Sequence, residues 1–217
     1  TTSIYVNDLG LEPIVLMGTD AQKRKFLTPL TEQLRFISFA TSEPGMGSDV
    51  AGIQATFDRE GNDYILNGNK FFITNADVAD FYVIFARAKG TKRHQGISGF
   101  VVPRGIEGLS TGKPLEKLGH RASDTGVIML RSVHVPAENL IGGEGNGFFS
   151  AMLTFMHTRP AIGAMATGLS RSAMEYAINY AKQREAFEQR ISSFQTIQQM
   201  VADMYARIEA MRLLTWK

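Results

Sequence analysis

Residue types that suit ligand binding are concentrated at positions 36–49, F-I-S-F-A-T-S-E-P-G-M-G-S-D. The first residues form an apolar run that predicts a strand. Pro44 then fixes one backbone angle, while Gly45 and Gly47 permit angles closed to other residues. Backbone N–H groups in such a turn can approach a flat ring or a phosphate closely. Three hydroxyl side chains flank the turn: Thr41, Ser42 and Ser48. An ordinary polar loop after a strand explains the same residues, so this stretch alone leaves both interpretations open.

The composition excludes several classes of function. With 44% hydrophobic and 20% charged residues, the chain resembles a globular protein able to bury a core, in one or two domains. Its 23 basic and 21 acidic residues are interspersed, which does not indicate a nucleic-acid-binding protein. No apolar run approaches about 18 residues, so no membrane span is predicted. The lack of cysteine excludes disulfides, thiolate nucleophiles and cysteine metal sites. The histidines lack metal-ligand spacing: His94, His120, His134 and His157.

Helices are predicted first and strands after them. Positions 1–33 are predicted to be helical, with a capping box at 19–22 that opens a short helix expected to dock either on the next domain or on absent partners. Positions 34–135 predict short strands, with a turn at Arg59–Asp63 and a tight turn at Asn67-Gly68. Four residues are expected to share one face of the last strand: Val127, Met129, Val133 and Val135. Many short strands joined by tight turns indicate an antiparallel barrel or sandwich.

Helices are predicted again after a glycine-rich connector at 136–147. A first helix over about 148–185 precedes a break at 189–192, and Ser192 with Gln195 forms a possible capping box for a second helix. Apolar residues then form a seam that must pack against other helices: Phe194, Ile197, Val201, Met204, Ile208 and Met211. We expect a bundle whose other helices or subunits lie outside this chain. Both ends look cut, since the chain begins without Met and stops inside an apolar helical pattern.

Four motifs occur in order: S-E-P-G-M-G-S-D at 42–49, F-F-I-T-N at 71–75, L-G-H-R-A-S-D-T at 118–125 and R-E-A-F at 184–187. Together they resemble the acyl-CoA dehydrogenase family, flavoproteins that desaturate acyl-CoA thioesters, and most closely its medium- and short-chain members. The resemblance covers nearly the whole chain. It implies an α+β multidomain fold, with an antiparallel β-barrel middle domain between an incomplete N-terminal helical domain and an incomplete C-terminal helix bundle. The implied domain boundaries are 1–33, 34–146 and 147–217.

The resemblance implies FAD as the cofactor and two segments that contact it. In the first, main-chain groups and the hydroxyl at the Ser42 position bond the pyrimidine edge of the flavin. The matching positions are Phe39, Thr41, Ser42, Gly47 and Ser48. Phe39 replaces an aromatic residue that carries a hydroxyl in medium-chain members. The second segment lies along the flavin ring, with Thr74 expected to donate to flavin N5, and Phe72 stands where many members have Trp. Its positions are Phe72, Ile73 and Thr74.

A third group of matching residues implies contact with a neighbouring subunit. Arg184 and Phe187, at i and i+3, are expected to share one helix face. In the family this Arg reaches the partner's flavin pyrophosphate, and an arginine fork suits phosphate oxygens. Phe194 and Gln195 fall where the family contacts that flavin again, while Glu188 replaces a common Gly and puts a carboxylate near the phosphate. A homo-oligomer, dimer or tetramer, is therefore implied. The 118–125 motif is expected to shape a loop.

The implied reaction needs a carboxylate base that removes the α-proton while hydride leaves the β-carbon for the flavin. Isovaleryl- and long-chain-type members carry their catalytic Glu at the position of Thr158, whereas the medium-chain type places it farther toward the C-terminus. The resemblance therefore implies no catalytic base up to residue 217 and predicts negligible dehydrogenase activity for this chain alone. Three residues are implied at the acyl-CoA site, although Met156 replaces an acidic residue: Ser48, Met156 and Arg159.

Three functions stay open on the sequence. An acyl-CoA dehydrogenase would pass its electrons to an electron-transferring flavoprotein. An acyl-CoA oxidase or flavin monooxygenase of the same fold would use oxygen instead. The third possibility is an inactive structural fragment without flavin. The sequence decides neither the acyl chain length nor the compartment, bacterial cytoplasm or mitochondrial matrix.

Overall fold

The computed structural model describes residues 2–217 and divides them into two compact units. The first unit ends at Thr158 and the second covers Arg159–Lys217. A long helix, α4 (Gly147–Gln183), continues from the first unit into the second. The implied domain boundaries after residues 33 and 146 stay predictions.

Helical segments open the first unit: α1 (Thr2–Met17), α2 (Asp20–Gln22), a π-helical turn (Lys23–Leu27) and α3 (Thr28–Glu32). The predicted capping box is confirmed, because Thr19 N donates to Gln22 Oε1 at 2.9 Å and Gln22 N donates to Thr19 Oγ1 at 3.2 Å. The Gln22 amide also donates to the carbonyls of Glu138 and Leu140, at 2.7 and 2.8 Å. Ile14 enters the same core as the strands. These helices therefore dock on the strand region, the first of the two expected alternatives.

The strands of the first unit form one sheet. They are β1 (Ile37–Ala40), β2 (Thr56–Glu60), β3 (Asp63–Thr74), β4 (Phe81–Ala88), β5 (Ile97–Pro103), β6 (Leu109–Thr111), β7 (Thr125–Pro136) and β8 (Leu140–Ile141). Their order is β6-β7-β3-β2-β4-β5-β8, and β1 pairs with β4 as well. Strands β4 and β5 are almost wholly buried and form the centre of the core. Three aromatic rings from β2, β3 and β5 pack together in this core, at centroid distances of 5.0 to 5.5 Å: Phe57, Tyr64 and Phe100.

The predicted antiparallel barrel is wrong in two respects. The sheet is mixed, because β1 and β2 both run parallel to β4, with Ile37 opposite Phe81 and Thr56 opposite Arg87. It also ends at β6 and β8, so within residues 2–217 it does not close into a barrel. The sheet is mixed because β1 and β2 lie along the same edge of β4. The chain must therefore leave the sheet after Ala40 and rejoin it at Thr56, and the segment between them contains the predicted ligand-binding turn.

The turn at Arg59–Asp63 is confirmed between β2 and β3, but the tight turn at Asn67-Gly68 is wrong, since both residues lie inside β3. Gly68 has φ +144°, and the register of β3 against β7 shifts between Leu66 and Gly68. The glycine therefore lies at a β-bulge and not in a hairpin turn. A Cβ at this position would lie 2.6 Å from the Ala55 Cβ.

The same irregularity reverses the buried face of β7. The four residues predicted to share one face do not: Val127, Met129, Val133 and Val135. Ile128 and Leu130 are buried in the first half of the strand, whereas the odd-numbered valines are buried in the second half. Ser132 has φ +51° and lies at the shift. Because side chains alternate with period two, one extra residue exchanges the two faces of a strand.

The second unit contains the later part of α4, β9 (Glu185–Ala186), β10 (Gln189–Arg190), a 3₁₀ turn (Ile191–Ser193) and α5 (Gln195–Trp216). The predicted capping box of Ser192 and Gln195 is wrong, because Phe194 occupies the N-cap position and Ser192 belongs to the 3₁₀ turn. An apolar groove of about 810 Å³ runs between α4 and α5. Packing of further helices into a bundle stays a prediction. No helix in the described part of the chain is long and apolar enough to cross a membrane.

We expect Gly68→Ala to lower the free energy of unfolding by roughly 3 kcal/mol, because the new methyl group meets Ala55 and the positive φ strains an L-residue. Gly61→Ala is the matched control, since φ is +61° there but open space surrounds the added methyl group. The control should lose only about 1 kcal/mol. Urea unfolding followed by circular dichroism measures both values. Equal losses would contradict the close contact at Gly68.

Candidate functional site

The turn after β1 is closed by two backbone hydrogen bonds. Glu43 N donates to the Met46 carbonyl at 2.9 Å, and Met46 N donates to the Glu43 carbonyl at 3.1 Å. Open space surrounds Gly45 and Gly47 where a Cβ would stand. Most of the tip is exposed: Pro44, Gly45, Gly47, Ser48 and Asp49. The predicted ligand-binding turn is thus an open surface, rich in backbone groups and anchored at Glu43.

A buried ion pair holds this turn against β3. Lys70 Nζ lies 2.8 Å from Glu43 Oε1, and the two side chains are 0% and 4% exposed. Lys70 also donates to the Thr41 carbonyl at 3.2 Å. The Glu43 carboxylate accepts from the backbone N–H groups of Gln54 and Ala55, at 2.6 and 3.0 Å. Both buried charges are therefore paired and hydrogen-bonded, as burial requires.

Burial also controls the protonation of Lys70. Desolvation lowers the pKa of its ammonium group to about 8, from an ordinary value of 10.5, while the charge and hydrogen bond of Glu43 oppose this shift only in part. The lysine is therefore mostly protonated at neutral pH. Its pairing with Glu43 is intact there.

A second β-bulge brings the next predicted segment beside the turn. Phe71 N donates to the Ser42 carbonyl at 2.9 Å, and the register of β3 against β7 shifts between Lys70 and Ile73. Phe72 has φ +58°, which is rare for a bulky residue, and is 66% exposed. The bulge therefore directs the Phe72 ring out of the sheet while Ile73 returns to the core.

Thr74 is held by the neighbouring strand. Ser38 Oγ on β1 donates to the Thr74 carbonyl at 2.7 Å. Thr41 is buried, while the side chains of Ser42 and Thr74 are half-buried. The structure therefore brings the Thr41–Ser42 and Phe72–Thr74 segments together, as a flavin-binding surface would require.

Two of the predicted residues in the first segment lie in different surroundings. Phe39 is in the core, with its ring centroid 5.1 Å from that of Phe85 and 5.5 Å from that of Phe155. Ser48 stands at the exposed tip, next to Asp49, which pairs with Arg93 at 3.2 Å. Contact of Phe39 or Ser48 with a cofactor or substrate stays a prediction.

The hydroxyl at position 158 is directed into its own helix. Thr158 is buried and donates to the Thr154 carbonyl at 2.8 Å. The predicted substrate residues on this helix, Met156 and Arg159, are both exposed. Across residues 2–217 no group of His, Asp and Glu side chains could hold a metal ion. The implied position of the catalytic base beyond residue 217 stays a prediction.

The residues predicted on the last turn of the helix lie in a hairpin instead. Helix α4 ends at Gln183, so the shared helix face of Arg184 and Phe187 is wrong. Phe187 and Glu188 are the two turn residues, with φ +52° and +62°, as a type I′ turn requires at both positions. These angles cost about 1–2 kcal/mol for each L-residue, which explains why glycine suits the Glu188 position.

The hairpin nevertheless groups the predicted residues of the second unit. Phe187 is 90% exposed, and its ring centroid lies 6.2 Å from that of half-buried Phe194. The Arg184 carbonyl accepts from Ile191 N at 2.9 Å, and the side chains of Arg184 and Gln195 are exposed. The connection between α4 and α5 therefore presents an arginine and an aromatic ring on one short segment.

The 118–125 motif shapes a loop, as expected. Asp124 Oδ2 accepts from Asp77 N at 2.7 Å, and the Asp124 carbonyl accepts from Asn75 N at 3.1 Å. Asn75 is buried and donates to the carbonyls of Ser3 and Ile37, at 3.0 and 3.1 Å. These bonds join the start of β7 to the end of β3, and the end of β3 to α1 and β1.

Two residues of this site are absent from the sequence prediction, Glu43 and Lys70. A signal for them exists: Lys70 lies in an apolar strand, and a lysine at an inward position needs a partner. The carboxylate of Glu43, in the turn that follows the preceding strand, is a candidate. Pairing them requires the strand order, which the sequence does not contain.

Comparison with protein-family models shows which family this chain belongs to. A family model described as acyl-CoA dehydrogenase, middle domain, matches residues 38–133, and one described as acyl-CoA dehydrogenase, C-terminal domain, matches residues 145–217. The chain belongs to the acyl-CoA dehydrogenase family. The resemblance inferred from the four motifs is thereby confirmed.

Curated relatives in this family include short-chain enzymes. The short-chain specific acyl-CoA dehydrogenase of Megasphaera elsdenii is 42% identical over 96% of this chain and 55% of its own length. The mitochondrial short-chain specific acyl-CoA dehydrogenase of Rattus norvegicus is 40% identical over 97% of this chain and 51% of its own length. The chain therefore spans about half the length of the curated relatives it matches.

Solved structures of acyl-CoA dehydrogenases share the fold. Butyryl-CoA dehydrogenase from Megasphaera elsdenii matches with a TM-score of 0.95 and 38% identity, over 99% of this chain and 57% of that one. An acyl-CoA dehydrogenase from Bacillus anthracis, complexed with FAD, matches with a TM-score of 0.88 and 36% identity, over 94% and 34%. A chain from a structure described as the electron transferring flavoprotein of Acidaminococcus fermentans has a TM-score of 0.96 and 40% identity, over 99% and 57%. The acyl-CoA dehydrogenase-like fold is thereby confirmed as a mixed sheet with helices.

Breaking the buried pair should destabilise the protein strongly. We expect Lys70→Met to lower the free energy of unfolding by roughly 3–5 kcal/mol, because it leaves the Glu43 carboxylate buried without its partner. Lys89→Met is the control, since Lys89 pairs with Asp58 at 3.2 Å on the exposed surface. The control should lose less than about 1 kcal/mol. Urea unfolding at neutral pH measures both, and similar losses would contradict the burial of the pair.

The lowered pKa of Lys70 predicts a pH dependence of stability. Between about pH 8 and 10.5, the unfolded chain keeps a proton on this lysine that the folded protein has released. This group therefore raises the free energy of unfolding as pH rises through that window, and the gain is lost again as pH falls from about 10.5 to about 8. One pKa unit corresponds to about 1.4 kcal/mol, so the gain amounts to a few kcal/mol.

Urea unfolding of the unmodified protein and of Lys70→Met across this pH window isolates the effect, because all other groups titrate in both. The stability difference between them should widen with rising pH. A constant difference would show that the pKa of Lys70 is not lowered.

Proposed function

We propose that this chain provides the flavin- and substrate-binding surface of an enzyme that dehydrogenates acyl-CoA thioesters between the α- and β-carbons. One observation carries the proposal: the hydrogen bond from Phe71 N to the Ser42 carbonyl brings together two segments that match the family's flavin-contacting residues. Family membership and the related dehydrogenase complexed with FAD support the same cofactor here.

The residues of the first unit fit a planar, polar ring system. The turn at 41–48 offers backbone groups and hydroxyls, and Phe72 offers an exposed aromatic face. We assign the polar edge of the flavin to Thr41 and Ser42, and its ring system to the Phe72–Thr74 segment. FAD, when bound, supplies the hydride-accepting chemistry, while the protein supplies orientation and electrostatics.

The second unit supplies groups that suit a diphosphate. Arg184 is exposed and carries a planar fork that can bond two phosphate oxygens. Phe187 is almost fully exposed beside Phe194, so both rings are available to a bound molecule or a second subunit. We assign these residues, with Gln195, to the flavin of a partner subunit in a homo-oligomer.

The substrate is assigned as a short-chain acyl-CoA, because relatives at 40% and 42% identity are short-chain specific dehydrogenases. We place its CoA part near Ser48, Met156 and Arg159. The base that takes the α-proton is assigned to a carboxylate beyond residue 217, since the hydroxyl of Thr158 is neutral and bonded to its own helix. An electron-transferring flavoprotein is the proposed electron acceptor, in bacterial cytoplasm or mitochondrial matrix.

The cofactor assignment predicts that, after the purified protein is mixed with FAD, flavin absorbance co-elutes with the protein on size-exclusion chromatography. Ser42→Ala should raise the dissociation constant for FAD about five- to tenfold, because it removes one hydrogen bond worth about 1 kcal/mol. Ser110→Ala, at an exposed serine on β6, is the control and should bind as before. Absorbance titration measures both.

Elution of the protein without flavin would overturn the cofactor assignment, and equal affinity of Ser42→Ala and the unmodified protein would overturn the role of Ser42. Adding butyryl-CoA to the flavin complex without air tests the catalytic assignment. Little bleaching is expected, because the base is placed outside this chain. Fast bleaching would place a base within it, and rapid return of the band in air would then favour an oxidase.

A further inference from the structure

The buried pair of Glu43 and Lys70 has no exposed charge with which to contact a ligand. A fully buried ion pair is also weak as a source of stability, since desolvation offsets most of the attraction, and apolar residues of similar volume often serve as well. Its place in the fold therefore calls for an explanation other than stability. The bonds that it makes provide one.

Each member of the pair joins two segments of the site. Lys70 lies on β3 and reaches across to the Thr41 carbonyl and the Glu43 carboxylate, at 3.2 and 2.8 Å. Glu43 lies in the turn and accepts from Gln54 N and Ala55 N, just before β2 begins. The pair therefore links the end of β1, the turn, the start of β2 and the bulge of β3.

Those links lie directly beside the residues assigned to FAD. Ser42 precedes Glu43 in the chain, and the exposed Phe72 follows Lys70 by two positions. Between them, Phe71 N donates to the Ser42 carbonyl at 2.9 Å. A change in the separation of the two charged groups would move Ser42 relative to Phe72.

We propose that Glu43 and Lys70 are a positioning pair, which sets the spacing of the Thr41–Ser42 and Phe72–Thr74 segments and so shapes the flavin-binding surface. The proposal rests on the proposed function for its flavin part. The spacing itself is a property of this chain and can be measured without any cofactor. The pair acts through the two segments and touches neither flavin nor substrate.

Amide hydrogen exchange of the protein without FAD is the first test. In Glu43→Gln, the amides of Gln54, Ala55 and Phe71 should exchange at least tenfold faster, because the acceptor loses its charge and the turn opens locally. Amides of β4 and β5 should exchange faster only as far as the measured loss of overall stability requires. A uniform increase over all strands, or no increase at these three amides, would overturn the proposal.

A double variant separates positioning from stability. Glu43→Gln with Lys70→Met removes both charges, so no unpaired charge stays buried and part of the stability lost in Lys70→Met should return. The dissociation constant for FAD should nevertheless stay at least tenfold above that of the unmodified protein. If FAD affinity recovers together with stability, the pair has only a structural role and the proposal is overturned.

The exposed pair of Asp58 and Lys89 provides the control. The double variant Asp58→Asn with Lys89→Met removes an ion pair of similar length, 3.2 Å, and should change neither the exchange rates nor the affinity for FAD. If the unmodified protein binds no FAD, the proposed function and the flavin part of this proposal both fail. The amide hydrogen-exchange rates then test only whether the pair sets the spacing of the two segments.

Discussion

The edge of β4 is shared by two parallel strands, and the arrangement of the site follows from that constraint. Strand β1 pairs with the first half of this edge and β2 with its end, so the chain between Ala40 and Thr56 must leave the sheet. Backbone N–H groups of this segment that stay buried outside the sheet still need hydrogen-bond acceptors. The carboxylate of Glu43 supplies them to Gln54 and Ala55, in place of a neighbouring strand. The turn is thereby held close to the sheet.

A carboxylate buried for this purpose needs a positive partner, and Lys70 supplies it from β3. The lysine must lie at an inward position of that strand to reach Glu43. The bulge that follows it turns the Phe72 ring outward, while Ile73 returns to the core. The buried ion pair is therefore adjacent in the chain both to the open turn and to the bulge that exposes the Phe72 ring.

Backbone strain coincides with the motifs that identify the family. Positive φ angles at residues other than glycine occur in three of the four: at Phe72 and Asn75, at His120, and at Phe187. Such angles persist only where the surroundings enforce them, and they concentrate at functional sites. At Phe187 a strained hairpin turn exposes an aromatic ring beside an arginine. Three of the four motifs are thus short stretches with an unusual backbone conformation.

Local patterns determined much of this protein by themselves. The sequence was sufficient for the family, the capping box at 19–22, the turn at Arg59–Asp63 and the turn of the first motif, because each depends on residues close together in the chain. Only the tertiary structure decided the mixed, open sheet, since strand order and direction depend on long-range pairing. It also decided the bulges at Gly68 and Phe72, where a partner strand overrides the local turn signal or alternation. The pairing of Glu43 with Lys70 belongs with these features, because the two residues are 27 positions apart and meet only through that strand order.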